Sequence, residues 1–258
     1  MVMSITQAII LGIVQGLTEF LPVSSSAHLI IARKFLGIPD PGLAFDVFLH
    51  GATLLAVLIL MGRALIIDLK RNPKLLALLI IGTIPAGIAG IWAKDSIETV
   101  VRNNLFVIGA SLIVWSYLMT IADERWGDVD MKSLTVWDAI IIGIFQAFAL
   151  IPGTSRSGST LTAGGLLRLD KLTAFRFSFY LSIPTIGGAF TLSLIDLFKS
   201  HQPVTGTMWI GAAAALLSGI LALAILRRVL HRFGLLPFAV YRTILGMFLI
   251  ALFFIQKF

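Results

Sequence analysis

Ala8-Ile9-Ile10-Leu11-Gly12-Ile13-Val14-Gln15 and Ala139-Ile140-Ile141-Ile142-Gly143-Ile144-Phe145-Gln146 are one apolar phrase written twice, differing only at Leu11/Ile142 and Val14/Phe145. Each copy runs on to a proline and a serine-rich turn. The first reaches Pro22-Val23-Ser24-Ser25-Ser26, the second Pro152-Gly153-Thr154-Ser155-Arg156-Ser157. Allowing one deletion, Ala44-Phe45 then falls opposite Ala174-Phe175. Apolar helices resemble one another by chance, but here a polar Gln, a Pro and a Ser cluster recur with the apolar residues, which marks a duplicated chain.

The copies have an unusual form. Residues 5–21 carry Glu19 and stop at Pro22, and 24–36 follow at once; residues 138–151 stop at Pro152, and a Gly/Ser-rich segment leads into 159–168. Apolar pieces this short, flanking a polar break, read as re-entrant hairpins rather than spans. Irregular backbone at membrane depth is tolerated where it is buried in protein or lines a cavity. By contrast, residues 43–62, 75–92, 104–122, 174–197, 207–226 and 237–256 are each long enough to cross roughly 30 Å of hydrocarbon. Composition agrees: 58% of the 258 residues are hydrophobic and 13% charged, with a mean hydropathy of +0.98, where a soluble domain carries about 25% charge.

The expected fold is therefore an all-α polytopic membrane protein, a single membrane domain over 1–258. Repeat one covers 1–122, a linker 123–137 and repeat two 138–258, each repeat a re-entrant helical hairpin plus three transmembrane helices. Three spans is an odd number, so the repeats should have inverted topology. Lys/Arg bias gives the orientation. With the N-terminus outside, the inside segments 63–74, 123–137, 168–171 and 227–232 hold eleven basic residues, while the outside holds six: Arg33, Lys34, Lys94, Arg102, Lys199 and Lys257. The bias places both termini outside. No Lys or Arg precedes Arg33, so the first segment is expected to belong to the fold rather than to a cleavable signal. The net charge of +7 sits between apolar segments, where it sets topology against anionic headgroups rather than serving nucleic acid. With no cysteine, disulfides and thiolate metal sites are excluded.

The chemistry gathers at the two breaks. Gln15 and Glu19 lie four apart, on one helix face just before Pro22 ends the helix. Ser24, Ser25 and Ser26 stand where an N-cap belongs, opening the helix that carries His28. A helix start with free N–H groups and hydroxyls is a ready anion site. The second hairpin repeats this with Ser155, Arg156, Ser157 and Thr160, and Arg156 adds a planar fork that suits phosphate oxygens. Two helix starts, one Arg and many hydroxyls meeting near mid-membrane call for a multiply charged anion, and diphosphate fits best. The plain alternative is that the serines cap turns while Glu19, His28 and Arg156 pair with one another. Each ionisable group is costly in lipid, which favours function. Asp46 and His50, four apart, could pair on their span. Arg176, Asp196 and Arg242 read as interfacial or paired, and Gly164-Gly165 and Gly187-Gly188 as close helix packing.

Gln15-Gly16-Leu17-Thr18-Glu19-Phe20-Leu21-Pro22-Val23-Ser24-Ser25-Ser26-Ala27-His28, followed by Pro152-Gly153-Thr154-Ser155-Arg156-Ser157-Gly158, closely resembles the two signature motifs of the bacitracin-resistance (BacA/UppP) undecaprenyl-diphosphate phosphatases. The resemblance extends over nearly the whole chain, including Phe45–Gly51 and Pro237–Arg242. It implies hydrolysis of undecaprenyl diphosphate to undecaprenyl phosphate and inorganic phosphate, recycling the lipid carrier for cell-wall glycans. It also implies a plasma (inner) membrane location, a cleft opening to the outer, periplasmic face, and a divalent cation, Mg or Ca. Residue by residue, Glu19, Ser25, His28 and Arg156 fall on the family's catalytic positions, and Ser155, Ser157 and Thr160 on its phosphate-contacting hydroxyls. Gln15, Ser24 and Ser26 join the expected substrate-binding set. Gln15 departs from members with a glutamate there, which leaves Glu19 as the one carboxylate expected at a metal.

Two routes stay open at this point: Ser25 attacks phosphorus, with Glu19 as base or metal ligand and His28 as proton carrier, or water attacks directly. The expected partners are a polyprenyl diphosphate lipid and the bilayer, and a homodimer is compatible with the chain. A transporter or flippase for an anionic polyprenyl lipid is the competing class, since broken helices and inverted repeats serve transport. An intramembrane serine protease lacks a G-x-S-x-G elbow here.

Overall fold

The computed structural model describes residues 3–38, 40–100, 104–200 and 203–255, without the side chains of 93–100. Among the described residues ten helices follow in order: α1 (Ile5–Phe20), α2 (Ser25–Leu36), α3 (Gly42–Arg71), α4 (Lys74–Val100), α5 (Leu105–Asp123), α6 (Val136–Phe148), α7 (Arg156–Leu166), α8 (Lys171–Ser200), α9 (Gly206–Phe233) and α10 (Leu236–Ile255). Six of them, α3, α4, α5, α8, α9 and α10, are long and apolar enough to cross a membrane. All six expected spans are there, and the chain is a multi-pass membrane protein. The helices outrun the apolar windows. α3 runs 30 residues to Lys70 and Arg71, about 45 Å at 1.5 Å per residue, so its basic end stands beyond the hydrocarbon. Of the basic residues expected outside, the Lys94 side chain, Arg102 and Lys257 lie outside the described residues.

The exposed surface is what lipid requires. Only 22–44% of each span's apolar window is buried inside the protein, which in water would leave an untenable apolar surface. Trp92, Trp137 and Trp209 stand exposed at span or hairpin ends, where amphipathic rings anchor at the headgroup level.

The hairpins begin alike. Ser4 opens α1 with a capping box closed by Gln7, and Thr135 opens α6 with one closed by Asp138. Each box satisfies two of the donors left free at a helix start. α1 then packs on α9, and α6 on α4. Both crossings need glycine. A Cβ on Gly12 would collide with the Gly211 carbonyl, and one on Gly143 with the Gly82 carbonyl, so these short helices are held by backbone-to-backbone approach. Gly164 and Gly165 are likewise packed tightly, on Ala174 and Ala122. Gly187 and Gly188 are not: a Cβ at Gly187 meets only Leu54 at 3.9 Å and one at Gly188 meets nothing within 4 Å. The close-packing expectation fails there, because that stretch of α8 faces open space.

α7 lies against α5, α6 and α8 and touches α1, and α2 packs on α1. Phe20 at the end of α1 is fully buried edge-on against Phe179 of α8, 5.9 Å between centroids. This seals the core beneath the two breaks.

Candidate active site

Both breaks are built on a strained serine. Ser24, just before α2, has φ 74°, and Ser155, just before α7, has φ 73°. Positive φ in a residue with a Cβ costs on the order of 1–3 kcal/mol and persists only where the surroundings impose it. Capping differs. Ser155 Oγ accepts from Gly158 N at 3.2 Å, whereas Ser24 makes no side-chain cap and instead shares a hydrogen bond with Ser26 Oγ at 3.2 Å. The expected serine N-cap is thus present in the second hairpin only. Before α7, Gly153 at φ 96° lies against the Ile108 carbonyl, leaving no room for a side chain.

The first residue of each returning helix is one of the expected site residues: Ser25 in α2, Arg156 in α7. Glu19, one residue short of the end of α1, joins them. Its Oε2 accepts from Ser25 Oγ at 2.8 Å and from Gln15 Nε2 at 3.1 Å, and its Oε1 accepts from Arg156 Nη2 at 3.4 Å. The pair is nearly enclosed, with side-chain exposures of 12% for Arg156 and 9% for Glu19. Arg156 Nε and Nη1 are buried with no partner, as is Gln15 Oε1. A buried charged donor without an acceptor is costly, and an anion at this point removes that cost. The Phe179 ring lies 5.6 Å from the guanidinium carbon, a cation–π contact in a desolvated place.

His28 stands one turn along α2 and does not pair with Glu19. Its Nδ1 lies 2.7 Å from the Ser24 carbonyl and its Nε2 lies 2.7 Å from the Tyr241 hydroxyl of α10. The hydroxyls of the second hairpin are engaged within the protein. Ser157 Oγ donates to the Leu21 carbonyl at 3.3 Å, linking the hairpins. Thr160 Oγ1 lies 3.0 Å from the Arg156 carbonyl and 2.6 Å from Ser178 Oγ, in a fully buried position. The structure therefore gathers Gln15, Glu19, Ser25 and Arg156 into one cluster, sets His28 beside it, and places Ser155, Ser157 and Thr160 in the frame that holds α7.

Tyr241 and Arg242 were not expected here. Arg242 is fully buried, and its Nη1 and Nη2 donate to the carbonyls of Pro22 at 3.1 Å and Gly153 at 2.8 Å. One guanidinium thus ties together the breaks of both hairpins. It is therefore held inside the bundle rather than at the interface, and its partners are backbone carbonyls. The signal was an Arg inside an apolar span, which defaults to function or structure at a site. Arg176 does find an acid, Asp68 at 3.3 Å, and His50 Nδ1 donates to the backbone carbonyl of Asp46 at 2.8 Å. A cavity of about 460 Å³ between α3 and α8, lined by Asp46, His50 and Asp196 among others, includes none of the clustered residues.

The family described as "Bacitracin resistance protein BacA" matches residues 8–248. The undecaprenyl-diphosphatase 2 of Stutzerimonas stutzeri is 44% identical, over 97% of this chain and 99% of that protein. The undecaprenyl-diphosphatases of Thermodesulfovibrio yellowstonii and Gemmatimonas aurantiaca are 42% and 43% identical, over 97% and 96% of this chain and 98% of each relative.

Proposed function

The chain belongs to the bacitracin-resistance (BacA) family, and from that premise we propose that it hydrolyses undecaprenyl diphosphate to undecaprenyl phosphate and inorganic phosphate, by way of Ser25. The observation that carries the mechanism is the 2.8 Å hydrogen bond from Ser25 Oγ to Glu19 Oε2. Ser25 Oγ attacks the terminal phosphorus, the bond from that phosphorus to the bridging oxygen breaks, and undecaprenyl phosphate leaves. The Ser25 proton passes to Glu19. Water then cleaves the phosphoserine and releases inorganic phosphate. Arg156, through its unpartnered Nε and Nη1, clamps the oxygens where charge builds, the dominant contribution in such reactions. His28 carries protons at the neighbouring turn.

Glu19 already offsets the charge of Arg156, so a diphosphate brings more negative charge than the cluster balances. Among the described residues no group of three or more His, Cys, Asp or Glu could hold a metal ion. The family resemblance implies a divalent cation, Mg or Ca, and one that enters with the phosphates would balance the added charge. Glu19 and the partnerless Gln15 Oε1 are the residues that would hold it, and its chemistry would be charge neutralisation.

The two halves are read as inverted repeats: matching capping boxes, strained serines and glycine crossings support a duplication, and three spans in each half would invert the second copy. The excess of Lys and Arg in the segments read as inside favours both termini outside, and the family resemblance implies a site opening to the outer face, where spent carrier lipid would be recycled for cell-wall glycans. Labelling of a single cysteine at position 70 from outside would overturn that orientation.

The test is phosphate release by the purified protein from C15 and C55 diphosphates, with and without chelator, joined to rapid quench of labelled substrate. A phosphorylated Ser25 peptide and an inactive Ser25→Ala are expected. Substantial turnover in Ser25→Ala with no phosphoserine overturns the nucleophile, leaving water attack. No phosphate release from either lipid overturns hydrolysis itself and favours transport.

A further inference from the structure

We infer that Tyr241 is the positioning residue of His28, fixing its tautomer and ring plane for proton transfer. The inference deepens the proposed mechanism and rests on the role given there to His28. A carbonyl only accepts, so the 2.7 Å contact between His28 Nδ1 and the Ser24 oxygen places the proton on Nδ1. In the neutral ring Nε2 is then the acceptor, and the Tyr241 hydroxyl, 2.7 Å away, donates to it.

The two rings also lie nearly parallel, 14° apart with centroids at 5.7 Å. An imidazole held at one nitrogen alone can turn about its last side-chain bond. Held at both and stacked, it cannot turn without breaking these contacts. The arrangement survives protonation as well. Once Nε2 gains a proton it must donate, and the hydroxyl, by rotating, offers a lone pair in place of its hydrogen. Tyr241 thus serves His28 in both states, which no apolar ring could do. The backbone supports the same end: the Ser24 carbonyl that fixes Nδ1 belongs to the strained residue at φ 74° and also takes the His28 amide at 3.3 Å.

The test is Tyr241→Phe, which keeps the stacked ring and removes the hydroxyl. The chain has four histidines, so ¹⁵N-histidine labelling with a His28→Gln reference identifies the His28 signals. Wild type should show a protonated Nδ1 and a hydrogen-bonded, unprotonated Nε2. In Tyr241→Phe the Nε2 signal should move away from the protonated type, while kcat falls about tenfold and KM stays within about twofold, a fraction of the roughly 10²–10⁴-fold that proton transfer contributes. In a His28→Ala background the Tyr241→Phe loss should vanish, as a residue acting through another requires. An unchanged His28 spectrum overturns the inference alone, as does an equal Tyr241→Phe loss with and without His28. Full turnover in His28→Ala overturns the catalytic role of His28 and the inference with it.

Discussion

The two hairpins share a backbone and differ in chemistry. Each opens in a capping box, crosses a long helix at a glycine, carries a buried glutamine, and breaks at a serine with φ of 74° or 73°. At the next residue one copy presents Ser25 and the other Arg156. Four residues past the glutamine one presents Glu19 and the other Leu150. The two strained helix starts are alike in backbone. In the proposed mechanism the first supplies a hydroxyl and its base and the second a phosphate clamp, so neither hairpin alone would hold the whole site. The Glu19–Arg156 contact at 3.4 Å joins the two hairpins, so any change that separates them breaks up the cluster on which the proposal rests.

The largest loss is expected where the second hairpin keeps its charge and loses its geometry. Arg156→Lys retains a cation but loses the planar fork, including the Nε and Nη1 donors that have no protein acceptor. The expected loss is about 2–4 kcal/mol of transition-state stabilisation, or roughly 30- to 1,000-fold in turnover. Steady-state phosphate release from a variant with an unchanged melting temperature measures it. Near-normal turnover would make Arg156 a structural partner of Glu19 and leave the first hairpin to work alone.

A milder change addresses the joint itself. Arg242 bonds the Pro22 carbonyl of one break and the Gly153 carbonyl of the other. In Arg242→Met both carbonyls lose their donor, at about 1–3 kcal/mol each, while a fully buried guanidinium no longer has to be desolvated. The net expectation is a loss of about 2 kcal/mol in stability, with turnover down about tenfold. Hydrogen exchange should quicken at 21–26 and 152–157 together. Opening at one break alone would show that the residue supports a single hairpin and that the joint lies elsewhere.

Much of this was legible from the residues in order. Pro22, Pro152 and the serine clusters located both breaks, and the six apolar runs located all six spans, because period and length are local properties. The cluster of Glu19, Ser25 and Arg156 was legible too, since ionisable residues inside apolar runs stand out. What stayed hidden is non-local or conformational. Tyr241 reaches a residue 213 positions away and Arg242 one 220 away, and no window of sequence contains such pairs. Serine is a common N-cap, so nothing in Ser24-Ser25-Ser26 announces that Ser24 leaves the cap unmade and takes a left-handed backbone. Gly187-Gly188 looked like a packing seam by composition, yet only the neighbours of α8 decide that.

The finest test compares the two glutamines. Gln15 Nε2 donates to Glu19 Oε2 at 3.1 Å, while Gln146 Nε2 donates to Thr185 Oγ1 at 3.0 Å. In both, Oε1 is buried without a partner. Leucine at either site removes one hydrogen bond and one orphaned acceptor, terms of about 1 and 1–3 kcal/mol that oppose each other. Thr185 keeps its own bond to the Leu181 carbonyl at 2.8 Å, so Gln146→Leu leaves no polar group bare. Its melting temperature should move by only a few degrees, in either direction, and its turnover should stay within about twofold. Gln15→Leu has the same effect on packing but takes a donor from the carboxylate that faces Ser25, so turnover should fall about tenfold, the scale of one hydrogen bond to a charged group. The paired measurement is kcat and melting temperature for both variants. Equal losses of turnover would mean that the glutamines serve the shared scaffold and that the division of labour begins only at Glu19. Unequal losses with equal stability would place its start one helical turn earlier, at Gln15.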